Sequence, residues 1–561
     1  MTKNGCFILE LKEVKIDLNS TKPNPRARFK LEVERCKCQK YPYKELCVKY
    51  RAILSSKINI KSEEINVSVD KFGHFSFLIP KLTRGLEVIV SGVDKCCCCS
   101  SIKNYYPNNC RPDFTSSLLT TRMTIKECSQ MAIDTSGLDH QPVQPGENRI
   151  FGHQLGPCRA SRAIAIVHIA MFDAIISIIG GYKSYLNLPK APSTASIDAA
   201  ICKASHDTLI ALFPSHAPRL ETLSQNLLNQ IPNGLSKQQG IDAGAFAAAT
   251  ILALRSNDGS NHKEPVVGID YIPSTLPGEW TKDPISNIPV ALGALWSQVK
   301  PFIIPNADSY RCPTPPALNS EEYNMAYNEA KVLGGDGINT PTVRSEEQTF
   351  IGNYWAYDGT PSLCAPPRLY NQIVMQIGSD QGLDTIELCR LLALVNVAMA
   401  DTAIACWDSK YFYKFWRPIV AIRSANTDGN DKTIEDPNWK PLGAPASNLS
   451  NGVNFTPPFP AYPSGHACFL ACVCQVLINT FGTDDLKFTF VSDEYNGKTL
   501  DNNGNVRPYK PRTFDTLTQA EDENGDSRIY LGIHFKFDKT NALPLGNSVG
   551  NDIYNNLYQP I

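Results

Sequence analysis

The spacing of apolar positions changes character near residue 110. In residues 5–17, 27–36, 61–69, 72–79 and 85–93, apolar and polar positions alternate in short β-rich runs, with turn formers between them as at Lys71–Gly73. Period two over such lengths predicts an antiparallel sheet or small sandwich. Further on, apolar residues recur at helical spacing in 157–179, 195–213, 218–230, 236–255, 320–334, 366–378, 382–408, 464–479 and 541–557. That pattern predicts a mainly α protein: a large helical-bundle domain over 111–561, preceded by a small β-sandwich-like domain over 1–110. Proline-rich connections, 256–317 and 424–463, separate the helices, and loops of such length in a compact domain are more often functional than idle. The most apolar windows, Ala163–Ile179 and Leu391–Cys406, contain His168 and Asp173, and Asn396 and Asp401. Both are short for a membrane span, so buried helices are predicted there.

Composition sharpens this picture in three places. Of the 561 residues 42% are hydrophobic and 19% charged, with 40 Pro and 35 Gly, a globular composition rich in loops rather than a disordered or fibrous one. The net charge of -1 argues against nucleic acid as the partner of the whole chain. The charge is split, however: residues 1–110 hold 20 Lys plus Arg against 11 Asp plus Glu, and the remainder 34 against 44. The first segment is therefore either a solvated basic accessory domain or one that meets an anionic surface. Nine of the 19 cysteines also lie there, at Cys6, Cys36, Cys38, Cys47, Cys96 to Cys99 and Cys110, without zinc-finger spacing; the other ten sit mostly in apolar stretches, as small buried groups do. The start of the chain has ILELKEVKID in place of an apolar run, so no secretory signal is expected. A soluble protein is expected, cytoplasmic or exported by another route.

Three stretches carry chemistry. KYFYKFWRP (410–418) holds Lys410, Lys414 and Arg417; on one continuous helix Lys410 would share a face with Lys414 and nearly with Arg417. Two such cations can grip a tetrahedral oxyanion, Arg by its planar fork and Lys as a point charge. PPFPAYPSGHACFLACVC (457–474) places Ser464 as a helix N-cap, with Gly465 and His466 in the first turn. Free N–H groups there form an anion site beside a titratable imidazole. DSRIYLGIHFKFD (526–538) sets Arg528 and His534 six apart among aromatics and aliphatics, where a histidine is either a hydrogen-bonded core residue or a ligand. Singly each stretch has a bland reading; together they supply cations, neutral donors and two histidines for phosphate or vanadate.

Lys410–Arg417–Pro418, then Pro463–Ser464–Gly465–His466, then Ser527–Arg528–His534–Asp538 resemble, without departure, the signature shared by type 2 phosphatidic acid phosphatases and vanadium-dependent haloperoxidases. GPCRASRAIAIVHIAMFDA, IGNYWAYDG and FWRP look like the haloperoxidase branch, so the resemblance covers roughly 110–561. It implies vanadate as cofactor, with no haem, flavin or NAD, and hydrogen peroxide, a halide and small organic acceptors as partners. By the same resemblance Lys410, Arg417, Ser464, Gly465 and Arg528 hold the oxyanion oxygens, and His534 is the metal ligand. His466, Lys410 and His534 are the catalytic residues, His466 for acid–base work and Lys410 for polarising peroxide.

Within that family Phe459, seven residues before His466, and Trp407, three before Lys410, resemble the chloroperoxidase type, and with Pro457 they form the expected halide pocket. Asp358 is the expected carboxylate partner of a site arginine. Chloride or bromide oxidation to hypohalous acid, which halogenates organic acceptors, is the function implied. The alternative is a phosphatase of the same superfamily acting through a phosphohistidine on His534. No nucleic-acid partner or transmembrane segment is expected, and a homo-oligomer is compatible with the sequence.

Overall fold

The computed structural model describes residues 124–359, 363–449 and 451–561 with their side chains, and before residue 124 the backbone of seven strands and the start of a helix. The chain divides into two compact units, Met1–Leu118 and Leu119–Ile561. In the first, β1 (Ile8–Ile16), β2 (Arg26–Glu34) and β5 (His74–Leu78) make one antiparallel sheet in the order β1-β2-β5. A second sheet runs β4 (Ile60–Ser68), β3 (Glu45–Leu54), β6 (Thr83–Gly92), β7 (Ser100–Tyr105), also antiparallel. The strands β3 and β7 are additions to the sequence reading. The alternation of Leu46, Val48 and Tyr50 with Cys47, Lys49 and Arg51 in β3 is period two and could have been read. The N-terminal cysteines lie outside the residues described with side chains.

The second unit is a helical bundle. Its helices are α1 (Ser117–Asp139), α2 (Gly156–Ile179), α3 (Ile197–Leu212), α4 (Ala217–Asn229), α5 (Leu235–Leu254), α6 (Glu321–Gly334) and α7 (Glu346–Tyr354). They continue with α8 (Pro366–Asp380), α9 (Thr385–Tyr413), α10 (Pro418–Arg423), α11 (Gly465–Phe481), α12 (Leu517–Tyr530), α13 (Lys536–Thr540) and α14 (Ala542–Asn556). A two-stranded ribbon, β8 (Phe488–Phe490) with β9 (Arg512–Phe514), completes the described elements. All nine helices read from periodicity are present. The ones added are α1, α7, α10, α12 and α13; α12 has no apolar stripe to read, because its buried residues include Asn524, Gly525, Ser527 and Arg528.

Helix α9 is the axis of the unit. A capping box of Asp384 and Glu387 starts it, and Lys414 in the left-handed conformation (φ 49°) ends it. Being apolar on all sides it is buried on all sides: α2 and α9, the two helices among the described residues long and apolar enough to cross a membrane, have 94% and 100% of their most apolar windows inside the protein. The acid predicted inside α9 has a structural use. Asp401 accepts the N–H groups of Phe302 (2.7 Å), Ile303 (2.7 Å) and Ile304 (3.0 Å), which pins the long 256–317 connection to the helix. Arg311 to Asp408 (2.7 Å) and the Cys312 N–H to Ser409 Oγ (3.1 Å) fasten the same segment about two turns on. Helix α11 is set by its crossing with α14: a Cβ added at Gly546 would meet the Cys468 carbonyl oxygen at 2.3 Å, and one at Gly550 that of Cys472 at 2.7 Å. Small Cys residues on α11 and glycines on α14 let the backbones approach. All ten described cysteines are free and buried.

Candidate active site

The three motif stretches converge, though not by the helical register the sequence suggested. Helix α9 stops at Tyr413, and Arg417 lies past the turn as the extended N-cap of α10 (φ -87°, ψ 154°). Lys410 and Arg417 therefore sit on two elements, and the left-handed turn at Lys414 brings Arg417 back beside Lys410. Lys414 itself is exposed and plays no part. Ser464 holds the N-cap position of α11, but its hydroxyl caps nothing: it is buried and unpartnered, while its N–H donates to the Asp538 carbonyl (2.9 Å). Gly465 packs on Trp407, whose ring a Cβ would meet at 3.2 Å. That contact joins Gly465 to the halide-pocket residues, so both the wall and the anion site need a glycine there.

Each cation is anchored by backbone oxygens. Arg417 donates through Nε to the Phe459 carbonyl (2.9 Å) and through Nη1 to that of Ile533 (2.8 Å), and Nη1 also lies 2.9 Å from His534 Nε2. Arg528 donates from Nη1 to the Trp355 carbonyl (3.3 Å) and from Nη2 to Asp358 Oδ2 (2.8 Å). The Lys410 ammonium donates to the carbonyls of Pro460 (2.8 Å), Ala461 (2.9 Å) and Pro463. Its three protons are thus in use, and contact with a ligand would take one from a carbonyl. Phe459 lies under two cations, with Lys410 Nζ 5.2 Å and Arg417 Cζ 5.0 Å from its ring centre, and 5.0 Å from the Trp407 ring.

The histidines are oriented from behind. His534 Nδ1 meets Asp538 Oδ2 at 2.8 Å, and the same oxygen accepts the Phe535 N–H (2.9 Å); the charge-bearing acceptor favours the Nδ1–H tautomer and leaves Nε2 as a lone pair. His466 hydrogen-bonds the Ala356 backbone, stands 4.0 Å from Asp358 Oδ1 through Nδ1, and keeps Nε2 unpartnered. Its carbonyl is gripped by Asn524 Nδ2 (3.0 Å), with the Tyr370 hydroxyl 3.1 Å away. Sequence reasoning missed Asn524 and Tyr370. Asn524 stands one turn before Arg528, a spacing that could have suggested it; Tyr370, on α8, gives no sequence signal.

The electrostatics of the site favour an anion. Burial pulls Lys410 down to about 8 and Arg417 down to about 10, and lowers Arg528 as well. Burial, then the Arg528 charge, holds His466 well below its usual range; burial, then Arg417 and Lys410, does the same to His534. Burial raises Asp538 to about 7 against the Phe535 N–H, Lys410 and Arg417, and raises Asp358 against the pull of Arg528 and Arg417. Beyond those carboxylates, Arg417 Nη2, Arg528 Nε, Ser464 Oγ and His466 Nε2 are buried polar atoms without partners. Such orphans are costly unless a ligand meets them. Their make-up, two guanidinium N–H groups, a hydroxyl and an imidazole, fits a tetrahedral oxyanion. It does not suit a bare cation, and among the described residues no cluster of three His, Cys, Asp or Glu could hold one.

Gly465, His466, His534 and Asp358 line a cavity of about 330 Å³ together with Trp407, Phe459 and Pro457. A glycine is also needed opposite: a Cβ on Gly293 (φ 77°) would lie 2.3 Å from Trp407, whose Nε1 donates to the Leu292 carbonyl (3.1 Å).

Three buried cations, with unpartnered donors on Arg417, Arg528 and Ser464, give this helical bundle the chemistry to bind an oxyanion. A family model described as the second helical-bundle domain of VCPO matches residues 390–561. The vanadium chloroperoxidase of Curvularia inaequalis is 30% identical over 477 residues, 70% of this chain and 76% of that protein. A bacterial vanadium-dependent iodoperoxidase superposes with a TM-score of 0.59 at 22% identity, covering 78% of this chain and 97% of that one. The holo-type structure of a bacterial vanadium-dependent chloroperoxidase gives a TM-score of 0.54 at 18% identity, with 74% and 95% covered; at these identities the two structures speak to the fold. The chain belongs to the vanadium-dependent haloperoxidase family and is an enzyme of that general kind. Membership implies vanadate as cofactor, with hydrogen peroxide and a halide as substrates.

Proposed function

We propose that the enzyme oxidises chloride and bromide with hydrogen peroxide to hypohalous acid, and that Lys410, Arg417, Ser464, Gly465 and Arg528 hold the vanadate oxygens with His534 as the metal's protein ligand. The observation that carries this reading is the set of four buried, unpartnered atoms: Arg417 Nη2, Arg528 Nε, Ser464 Oγ and His466 Nε2. Vanadate, when bound, supplies the Lewis acidity that makes peroxide electrophilic toward halide. The protein does the rest. Its cations offset the anion's charge in a water-poor site, where fixed dipoles act strongly. Asp538 keeps the His534 proton on Nδ1 and so its Nε2 lone pair available. His466, with Nδ1 turned to the Ala356 backbone and Nε2 to the cavity, takes a proton from peroxide and returns it to the departing oxygen.

Trp407, Phe459 and Pro457 are read as the halide wall. Phe459, at 8% exposure, presents carbon rather than a hydrogen-bond donor, which favours a partly dehydrated halide and suits chloride as well as bromide. Asp358 is read as the carboxylate that steadies Arg528. The N-terminal unit, including the basic segment 1–110, is read as an accessory domain, since each of these residues lies in the second unit. The test is the ratio of kcat/KM for chloride and bromide in the vanadate-loaded enzyme. A measurable chloride rate is expected, and its absence beside fast iodide oxidation would overturn the chloride assignment.

A further inference from the structure

Four consecutive residues, Trp355 to Asp358, brace both Arg528 and His466. The Trp355 carbonyl accepts Arg528 Nη1 (3.3 Å) and the Asp358 carboxylate accepts Nη2 (2.8 Å). The Ala356 backbone hydrogen-bonds His466, and Asp358 Oδ1 stands 4.0 Å from the Nδ1 of that ring. The segment leaves α7 at Trp355 (φ -91°, ψ 6°) and then changes hand, since Tyr357 has φ 94°. That region is costly for a bulky L residue, and glycine is its ordinary occupant. A chain keeps such a residue only where its surroundings over-determine it.

Here they do so through one hydroxyl. Tyr357 is fully buried, and its hydroxyl donates to Gln372 Oε1 (3.0 Å). The Gln372 amide donates to Asp493 Oδ2 (3.0 Å), and the Asp493 N–H donates back to the Tyr357 oxygen (2.7 Å). Each of the three residues gives one bond and takes one, so the circuit closes with consistent polarity. Burial pushes the phenol well above its usual range, and the hydroxyl keeps the proton it donates. The same Asp493 oxygen accepts Arg368 Nε (2.9 Å), whose guanidinium also holds Asp134 (2.6 Å). Gln372 and Arg368 stand on α8 and Asp493 opens the short turn Asp493–Tyr495, so two elements outside the motif stretches fix the segment. Phenylalanine would fill the core equally well; the circuit uses the oxygen twice.

We propose that Tyr357 is a positioning residue for the oxyanion site: its hydroxyl, locked to Gln372 and Asp493, sets the left-handed turn that keeps Ala356 against His466 and Asp358 against Arg528. It touches neither anion nor substrate and acts through those two residues. The consequence for halide oxidation rests on the haloperoxidase reading above; the consequence for oxyanion affinity does not.

The test uses the full-length protein and three variants beside a control. Tyr357→Phe keeps the aromatic ring and removes the hydroxyl. Vanadate affinity, read by equilibrium dialysis, should fall about fivefold and kcat for bromide at saturating vanadate and peroxide about tenfold, the scale on which a small misplacement away from the chemistry is felt. Gln372→Met opens the same circuit from α8 and should give the same two losses; being only half-buried, it carries the test should Tyr357→Phe not fold. The double variant should lose no more than either alone, as groups acting as one unit do. The control, Tyr558→Phe, removes another buried hydroxyl, bonded to Asp173 (2.6 Å) toward the opposite end of α2 from the cavity. It should lower Tm and leave affinity and kcat unchanged. Tyr357→Phe and Gln372→Met proteins that behave like this control would overturn the proposal and leave the haloperoxidase reading intact. Losses that multiply in the double variant would overturn the circuit as the unit that acts. Wild-type protein that binds vanadate without brominating would overturn the haloperoxidase reading, and the affinity comparison would still decide the role of Tyr357.

Discussion

Replacing Asp538 by alanine would take from His534 the carboxylate 2.8 Å from its Nδ1, and from the buried Phe535 N–H its acceptor at 2.9 Å. Two effects separate. Stability should fall by about 1–3 kcal/mol for the orphaned backbone donor, less what is regained by removing a buried carboxyl whose pKa burial already raises to about 7. Vanadate affinity should fall about 10–100-fold, the usual result of removing the group behind a ligating histidine, or about 1.4–2.8 kcal/mol. Asp538→Asn keeps an oxygen of the same reach and should lose only a few-fold, because orientation survives while the ligand's basicity drops. Equilibrium dialysis against vanadate near neutral pH measures the affinities, and circular dichroism confirms that each variant is folded. A folded Asp538→Ala protein binding vanadate within about threefold of wild type would refute the claim that this carboxylate prepares His534.

His534→Ala should abolish vanadate retention, whereas His466→Ala should bind vanadate and lose turnover; equal loss of vanadium from both would contradict the roles assigned. Phe459→His would place a polar ring over Lys410 and Arg417, and should lower chloride oxidation more than bromide oxidation; an unchanged chloride-to-bromide kcat/KM ratio at several pH values would remove Phe459 from halide selection. Glu521, buried on α12, is raised to about 7 first by desolvation and then by Asp522 and Asp484. Its folded pKa exceeds the unfolded one, so the folded state holds the extra proton and stability is lost as pH rises between about 4.5 and about 7. Glu521→Gln should therefore stabilise the protein by about 1–3 kcal/mol near pH 8 and by little near pH 4; a gain independent of pH, read from thermal melts, would contradict this.

Where the chain's own periodicity dominates, the fold was readable. The all-apolar α9 and α11, and the striped α2 and α8, stand where the spacing placed them. Helix α12 was not, since Asn524 and Arg528 are buried to serve the site rather than to fill a core, and binary patterning registers only the latter. The anion motif was legible because it is local: Ser464, Gly465 and His466 are consecutive, and Arg528 and His534 bracket one turn and loop. The register of Lys410 and Arg417 was misjudged because nothing in KYFYKFWRP marks Lys414 as the left-handed residue that ends the helix; glycine or asparagine usually stands there. Long-range partners such as Tyr370 on the His466 carbonyl, or the Leu292 carbonyl on Trp407, depend on packing between distant elements, and no spacing rule reaches them.

On the proposed function, one oxyanion, vanadate, completes a site that the protein has already built, and this dependence is open to direct measurement. It is tested most directly by stripping the enzyme of vanadium and titrating vanadate back while following bromination of a phenolic dye with peroxide and bromide, with hydrolysis of a phosphate ester recorded alongside. No bromination is expected before addition, with activity then rising to a plateau at one vanadate per chain and any ester hydrolysis suppressed over the same titration. Bromination that ignores vanadate, or rapid ester hydrolysis with no vanadate-dependent bromination, would contradict it.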